Sequence, residues 1–415
     1  MLNRYYNIPL LILVLIAAVL AVGLWALGAD GLVRPIMAGE TYLAKSVADL
    51  AKDALFVPLK PVMYALIILS IGASIAVSTG GLGAKFVRVL AFFVGFSIIG
   101  ALVAIAAYSL FPMDIFDSPE TLGLAAGQDV AAIPFMQKIY GVITSPLMVS
   151  IYGGILLGYG IKKLEATNPG IGIQADAVSD MFIRGFIKFL WITIPLAVFG
   201  SLTLALNRPD GVESLMQLSK LLPVYLGSMT IVWLLMIVIS ARVLGHGIGF
   251  MGRALLPQAV VAIATSSSMA TLPATRIACD QLGANADEAT PFYTIGATIN
   301  MVGTLMGLTL ISLYGMQAFE GAMPSVADRF VVAFQSLVYS TSAAGVPSSS
   351  IVLLQEILTS HGVSGAFATY VTAIIITLDT LILDRMRTML NTQSDSMSTA
   401  NGLKLYYRKP KILQD

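Results

Sequence analysis

Near its C-terminal end the chain carries Asp384, Arg387, Thr388, Asn391 and Asp395. At about 100° per residue along a helix these five fall inside one stripe roughly 100° wide, with Arg385 off it. The stripe closes a long apolar segment, from about Ile357 to Leu383, that only Asp379 interrupts. A charge held at the bilayer centre costs on the order of 3 kcal/mol, so such residues face a cavity, a partner or a substrate. The chemistry here is binding. Neither His246 nor His361 lies in a motif beside the serines and no Ser-Lys pairing is visible, which argues against an intramembrane enzyme. Structural ion pairs, Asp384 with Arg387 or Arg385, are the competing reading, but they leave Thr388 and Asn391 no reason to share the face.

The elements that must position this stripe are membrane helices. The 415 residues are 57% hydrophobic and 11% charged, and mean hydropathy is +0.85. A soluble domain carries about 25% charged residues, so the chain reads as an all-α polytopic membrane protein. Uncharged runs long enough to span, about 20 residues, include Ile8–Leu27, Pro61–Ala84, Val89–Met113, Ile139–Ile161, Phe189–Asn207 and Leu221–Ala241. Ala254–Thr275, Thr290–Phe319 and Phe330–Leu354 follow. The first run exceeds the roughly 7–15 residues of a signal-peptide core and is expected to stay as an anchor. Cys279 is the single cysteine, and the two histidines are too few and too separated to indicate a metal site. A formal net charge of +1 argues against a nucleic-acid partner.

Basic residues in short loops mark the cytoplasmic side: Arg4, Lys85 and Arg88, Lys162 and Lys163, Arg242 and Arg253, and the tail residues Lys404, Arg408, Lys409 and Lys411. Opposite loops lean acidic, with Asp114, Asp117, Glu120 and Asp129 in one and Glu320 and Asp328 in another. Both termini are therefore expected in the cytoplasm. Two runs do not read as smooth spans. Ala254–Thr275 contains Pro257, a Thr-Ser-Ser-Ser cluster and Pro273, and Phe330–Leu354 contains STSAAGVPSSS at Ser340–Ser350. Such breakers predict pairs of short helices with irregular tips. If each pair enters and leaves on its own side, eight remaining spans return the C-terminus to the cytoplasm. Two interrupted segments in corresponding places point to the binding site of a secondary transporter, where broken helix ends offer N–H groups to an anion and carbonyls to a cation.

Four motifs appear in order: TSSSMATLP at Thr265–Pro273, NMVGT at Asn300–Thr304, AAGVP at Ala343–Pro347, and LDRMRTMLNTQSD at Leu383–Asp395. From about Arg253 to Leu403 the chain resembles the dicarboxylate/amino acid:cation symporter family, which includes the glutamate transporters. The resemblance implies eight transmembrane helices, two re-entrant helical hairpins and inverted repeats. It implies scaffold helices 1–2 in 1–84, a transport-domain helix 3 in 85–113, and scaffold helices 4–5 in 114–210. A transport domain then follows in 211–403, with helix 6, hairpin 1 at about 253–282, helix 7 at about 288–316, hairpin 2 at about 328–362 and helix 8 at about 365–397. The basic tail is 404–415.

By the same resemblance Asp384 looks like the carboxylate that binds a substrate ammonium group, and Arg387 like the guanidinium that pairs with a side-chain carboxylate, suited to it by its planar fork. Thr388 and Asn391 resemble the neighbours that hold the amino-acid backbone end, joined by Ser267, Ser268, Thr304 and the backbone near Val346. Asp395 resembles a sodium-ligand carboxylate, with main-chain carbonyls of Gly296, Asn300 and Asn391. A second sodium would use carbonyls near Thr298, Ser340, Thr341 and Ala343 beneath hairpin 2. Ser266 and Arg385 follow the arrangement in which a Ser stands on the first hairpin and an Arg follows the ammonium-binding Asp.

The chain departs from the family pattern in two places. Val302 stands where the family has an Asp that helps hold a deeper sodium, and Phe93, Phe96 and Ser97 align with its partners on the third helix. Valine offers no oxygen to a hard cation, so fewer sodium ions are expected in the coupling. Thr380 stands where family members have an Asp near the binding Arg, and Ser348 and Ser350 replace glycines after the GVP tip, which should reshape the pocket. The implied function is a sodium-coupled secondary symporter for aspartate or glutamate, a homotrimer in the plasma (inner) membrane among lipids. Alternatives are proton coupling through Asp384 and Asp395, a different small polar or dicarboxylate substrate, and a channel-like or sensory relative that binds without concentrating.

Overall fold

The computed structural model describes residues 9–38, 41–77, 83–124, 135–343 and 349–407. Val346 and Ser348 lie outside the described residues, as do Arg4, Asp129, Arg408, Lys409 and Lys411. Among the described residues the architecture is helical apart from one antiparallel pair, β1 (Pro35–Ala38) and β2 (Thr41–Ser46). The first half of the chain holds α1 (Leu10–Ala26), α2 (Val47–Val77), α3 (Gly83–Leu110), α4 (Phe135–Ile143), α5 (Pro146–Leu164) and α6 (Ile171–Leu206). The second half holds α7 (Gly211–Ser219), α8 (Leu221–Leu244), α9 (Ile248–Thr265), α10 (Ser268–Gln281), α11 (Ala286–Ile299) and α12 (Val302–Glu320). It ends in α13 (Val326–Ser340), α14 (Ser350–Ser360), α15 (Gly365–Leu378), a π-turn at Asp379–Leu383 and α16 (Asp384–Tyr407).

Several helices overrun the uncharged runs. α2 starts at Val47 rather than near Pro61, and α6 at Ile171 rather than near Phe189. Asp176, Asp180 and Arg184 are on that early part of α6, and charges that reach solvent do not stop a helix. Ile139–Ile161 is divided instead, because Ser145 caps α5 by accepting from Met148 N and Pro146 takes its first position. α16 runs on to Tyr407, past Met397, where the expected eighth helix ends, and into the expected basic tail.

Among the described residues eight helical stretches are long and apolar enough to cross a bilayer: Val47–Ala73, Gly83–Leu110, Pro146–Leu164, Ile171–Leu206, Gly211–Leu244, Ile248–Thr265, Asp287–Glu320 and Gly365–Tyr407. Leu10–Ala26 is apolar but shorter, and its Ile12, Leu15, Ile16 and Val19 are exposed. Two packing groups are visible. α2 packs on α5 and α6, and α1 packs on α6; α16 is surrounded by α3, α8, α9, α10, α11 and α12. Small residues set the first group: a Cβ on Gly158 would lie 2.6 Å from Ile75 Cβ and 2.8 Å from the Gly72 carbonyl.

At the centre of the second group stands a polar helix. Thr392, Gln393, Ser394, Asp395, Ser396, Ser398, Thr399 and Asn401 of α16 are all buried. Inside a membrane such groups must find partners in the protein. Gln258 of α9 donates to the Thr392 carbonyl (2.7 Å) and Thr275 Oγ1 (2.8 Å) and accepts from Ser396 (2.9 Å). Gln393 accepts from Trp233 Nε1 and donates to the Leu255 carbonyl at 3.1 Å. Asn401 donates to Ser240 at 2.9 Å. These bonds fix the rotation of α16 and so the face that Asp384 to Asp395 present.

Candidate substrate and cation site

Arg387 is 2% exposed and is the hub of an ionic cluster. Its Nη1 lies 2.7 Å from Asp379 Oδ1, and its Nη2 lies 3.0 Å from Asp379 Oδ2, 2.9 Å from Asp384 Oδ1 and 2.7 Å from Ser350 Oγ. Thr380 stands where family members have an Asp near the binding Arg, yet a neighbouring residue still brings a carboxylate to Arg387. Asp379 supplies that carboxylate, and Thr380 instead donates to the Ile376 carbonyl at 2.8 Å. The π-turn is the reason. In a regular helix the eight steps from Asp379 to Arg387 leave the two about 80° apart. Five steps at about 82° and three at about 100° bring them within about 10°.

Asn391 ties the stripe to the break between α11 and α12. Its Oδ1 accepts from Gly303 N at 2.7 Å and Thr304 N at 3.4 Å, which caps the start of α12. Its Nδ2 donates to Thr304 Oγ1 at 3.0 Å and approaches Met301 Sδ at 3.2 Å. The approach demands glycine: a Cβ on Gly303 would lie 2.6 Å from the Arg387 carbonyl oxygen and 2.8 Å from its Cα. Thr388 donates to the Asp384 carbonyl at 2.8 Å, an intrahelical bond that turns its hydroxyl hydrogen back to the backbone.

One turn further along, Asn300 Nδ2 donates to Asp395 Oδ1 and to Ser394 Oγ, both at 2.9 Å. Asn300 Oδ1 is buried without a hydrogen-bond partner. Among the described residues no Lys, Arg or His pairs with Asp395, and no group of three or more His, Cys, Asp or Glu gathers there. One carboxylate, one amide oxygen and the carbonyls of an interrupted helix suit a hard monovalent cation better than a soft metal. Gly296 lets Asp395 come close, since a Cβ there would sit 2.7 Å from Asp395 Oδ1.

Beside this pair the surroundings turn apolar. A Cβ on Gly296 would also meet the Phe93 ring at 2.9 Å, and one on Gly100 would meet Val302 Cγ1 at 2.9 Å and Met306 Cγ at 3.3 Å. Phe93, Phe96 and Val302 are all buried. Ser97 is the buried hydroxyl of that stretch of α3.

The break between α9 and α10 falls inside the serine cluster. Ser266 adopts φ 50°, the one non-glycine residue with positive φ among the described residues, and ends α9 as a left-handed cap. Its Oγ is buried and unpartnered. Ser267 caps α10 by accepting from Ala270 N at 3.3 Å, and Ser268 opens that helix. Arg385 Nη1 donates to the carbonyls of Ile263 (2.6 Å) and Ala264 (3.1 Å), so it satisfies the end of α9. A cavity of about 350 Å³ opens here, lined by Ser266, Ser267, Thr380, Asp384 and Arg385 and walled by Leu10, Ile187 and Trp191.

The structure thus brings Asp384, Arg387, Asn391, Thr304, Asn300 and Asp395 into one column along α16. The hydroxyls of Thr298, Ser340 and Thr341 bond locally, each donating to the carbonyl three residues earlier. Ala343 N donates to the Ser340 carbonyl at 3.1 Å, which closes the turn that follows α13. Ser350 and Asp379 are the residues that sequence reasoning undervalued. Ser350 was legible only as a glycine replacement, and Asp379 only as the one charge in an apolar run.

A column of buried ionic and amide groups, set where helices break inside a bundle of membrane-length helices, defines a polytopic membrane protein with an internal polar site. A profile of the Sodium:dicarboxylate symporter family matches residues 9–401, and the chain belongs to that family. It is similar to the Serine/threonine transporter SstT of Streptococcus thermophilus (strain CNRZ 1066), 26% identical over 322 residues that cover 74% of this chain and 78% of that protein. Family and relative are transporters, so the protein is a transporter and not an enzyme.

Proposed function

We propose that the protein is a sodium-coupled symporter of a small amino acid, with Asp384 holding the ammonium group and Asn391, Thr388 and the hairpin serines holding the carboxylate end. The observation that carries this reading is the succession of three hydrogen-bonded groups along α16, the Asp379–Arg387–Asp384 cluster, Asn391 with Thr304, and Asp395 with Asn300. Asp395, with carbonyls of Gly296, Asn300 and Asn391, takes one sodium. Thr298 and Ser340–Ala343 serve a second beneath the second hairpin. The apolar surroundings of Val302 support a coupling without the deeper third ion, and a full-site stoichiometry measured from reversal potentials in proteoliposomes would contradict that part. Arg387 places aspartate and glutamate among the substrates to test, and the name of the Streptococcus relative places serine and threonine beside them.

In this reading the pairs α9/α10 and α13/α14 are re-entrant hairpins, and α3 with α7–α16 moves against a scaffold of α1, α2, α5 and α6. The scaffold helices would also form a homotrimer in the plasma (inner) membrane, with both termini cytoplasmic. Such a movement would exchange polar contacts across the boundary, such as Tyr64 to Glu356 at 3.2 Å and Tyr339 to Ser145 at 2.7 Å. Trp191 lines the cavity at the first hairpin tip, so intrinsic fluorescence is a direct test. Titration with a panel of amino acids and dicarboxylates should give a saturable change only when sodium is present. Equal binding in sodium and choline, or no amino-acid response at all, would overturn the proposal.

A further inference from the structure

Every donor that Arg387 turns toward Asp384 and the second hairpin is already engaged. Nη2 has two hydrogens and three acceptors: Ser350 Oγ at 2.7 Å, Asp384 Oδ1 at 2.9 Å and Asp379 Oδ2 at 3.0 Å. Nη1 donates to Asp379 Oδ1 at 2.7 Å. The other flank of the side chain is closed, since a Cβ on Gly307 would lie 2.6 Å from Tyr225 Oη, 2.8 Å from Arg387 Cδ and 3.4 Å from Nη1. Arg387 Nε is buried without a partner, and a substrate carboxylate can reach the Nη donors that face Asp384 and the second hairpin only by displacing the Ser350 hydroxyl or one of the two carboxylates. Displacing Asp379 strands a charge in a site where it is 1% exposed.

The charge count points the same way. Two carboxylates around one guanidinium leave the cluster at −1, and a zwitterionic amino acid, bringing one charge of each sign, leaves that balance unchanged. A side-chain carboxylate would add a further negative charge inside a buried site, where like charges are most costly. An uncharged hydroxyl avoids this, because it can donate to Asp379 and accept from Ser350 without displacing either.

The geometry points to Ser350 and Asp379 as specificity-determining residues that occupy the donors of Arg387, so that the site selects a small amino acid with a hydroxyl side chain over an acidic one. This rests on the reading of the site as an amino-acid site. The test is sodium-driven uptake of labelled serine, threonine, aspartate and glutamate by the full chain in proteoliposomes. Wild type and the variants Ser350→Gly, Ser350→Ala and Asp379→Asn are compared by the serine-to-aspartate ratio of initial rates, which cancels differences in the folded fraction. Wild type should favour serine or threonine at least tenfold, and Ser350→Gly should move the ratio at least tenfold toward aspartate. Ser350→Ala and Asp379→Asn should move it the same way. Wild type that prefers aspartate with sodium dependence intact would overturn the inference while leaving the symport reading standing. A ratio unchanged in all three variants would overturn it too. Absence of sodium-driven uptake of any amino acid would overturn both.

Discussion

Replacing Asp395 by Asn should stabilise the protein without sodium and remove the part of its sodium response that comes from the Asp395 site. Asp395 is 1% exposed, accepts from Asn300 Nδ2 at 2.9 Å and has no cationic partner among the described residues. A buried charge left uncompensated costs about 3–5 kcal/mol, and Asn keeps the shape while removing the charge. Sodium at a hundred times its dissociation constant would supply about 2.7 kcal/mol to wild type. Unfolding entropy near 2.1 cal/mol/K per residue gives roughly 0.9 kcal/mol/K for this length, so each kcal/mol moves the midpoint about 1 °C. Thermal unfolding of detergent-purified protein in choline and in sodium is the assay. The variant should melt about 3–5 °C above wild type in choline. When sodium replaces choline, wild type should rise by about 3 °C more than the variant, which keeps only the second site. A variant whose sodium shift equals that of wild type would refute the assignment of Asp395 as a cation's carboxylate.

Two further substitutions probe the packing and the charges of the column. Gly303→Ala should cost about 1–3 kcal/mol, because its Cβ would press within 2.6 Å of the Arg387 backbone; a melting midpoint equal to wild type would show that α12 and α16 can separate freely. Arg387→Ala should abolish amino-acid uptake and cost about 3–5 kcal/mol by stranding Asp379 and Asp384, and adding Asp379→Asn should restore part of the stability but not the uptake; a double-mutant cycle with no coupling would count against the cluster.

Much of this site was legible because its breaks are written in residues that resist helix. The Ser cluster placed an interruption at Ser266–Ser267, where the structure ends α9 and starts α10, whereas Pro257 and Pro273 sit inside those helices. The stripe from Asp384 to Asp395 was visible because α16 keeps a regular period. Other parts were hidden for physical reasons. The early starts of α2 and α6 carry charges such as Asp49 and Asp176, which an uncharged-run criterion rejects and a solvated helix tolerates. The partners of the polar helix, Gln258 and Trp233, reach it across 134 and 160 residues of sequence, so no local pattern announces them.

The π-turn was the costliest omission, and its own logic supplies a test. A π-turn holds one residue more than a regular turn, so a single deletion within Asp379–Leu383 can return the segment to α geometry without rotating either flank. Deleting Leu381 places Asp379 seven steps before Arg387, about 20° out of line on a regular helix, and the ion pair survives. Deleting Ile375 instead rotates the upstream part of α15 by about 100°. That turn carries the buried faces of Phe367, Val371 and Ile374 out of their contacts, at a cost of several kcal/mol (about 2–5 for each such core side chain). Sodium-driven uptake should therefore persist within about tenfold in the Leu381 deletion, a barrier change of about 1.4 kcal/mol, and vanish in the Ile375 deletion. Equal loss in both would mean that the extra residue is an integral support of the Arg387 cluster and that regular geometry cannot replace it.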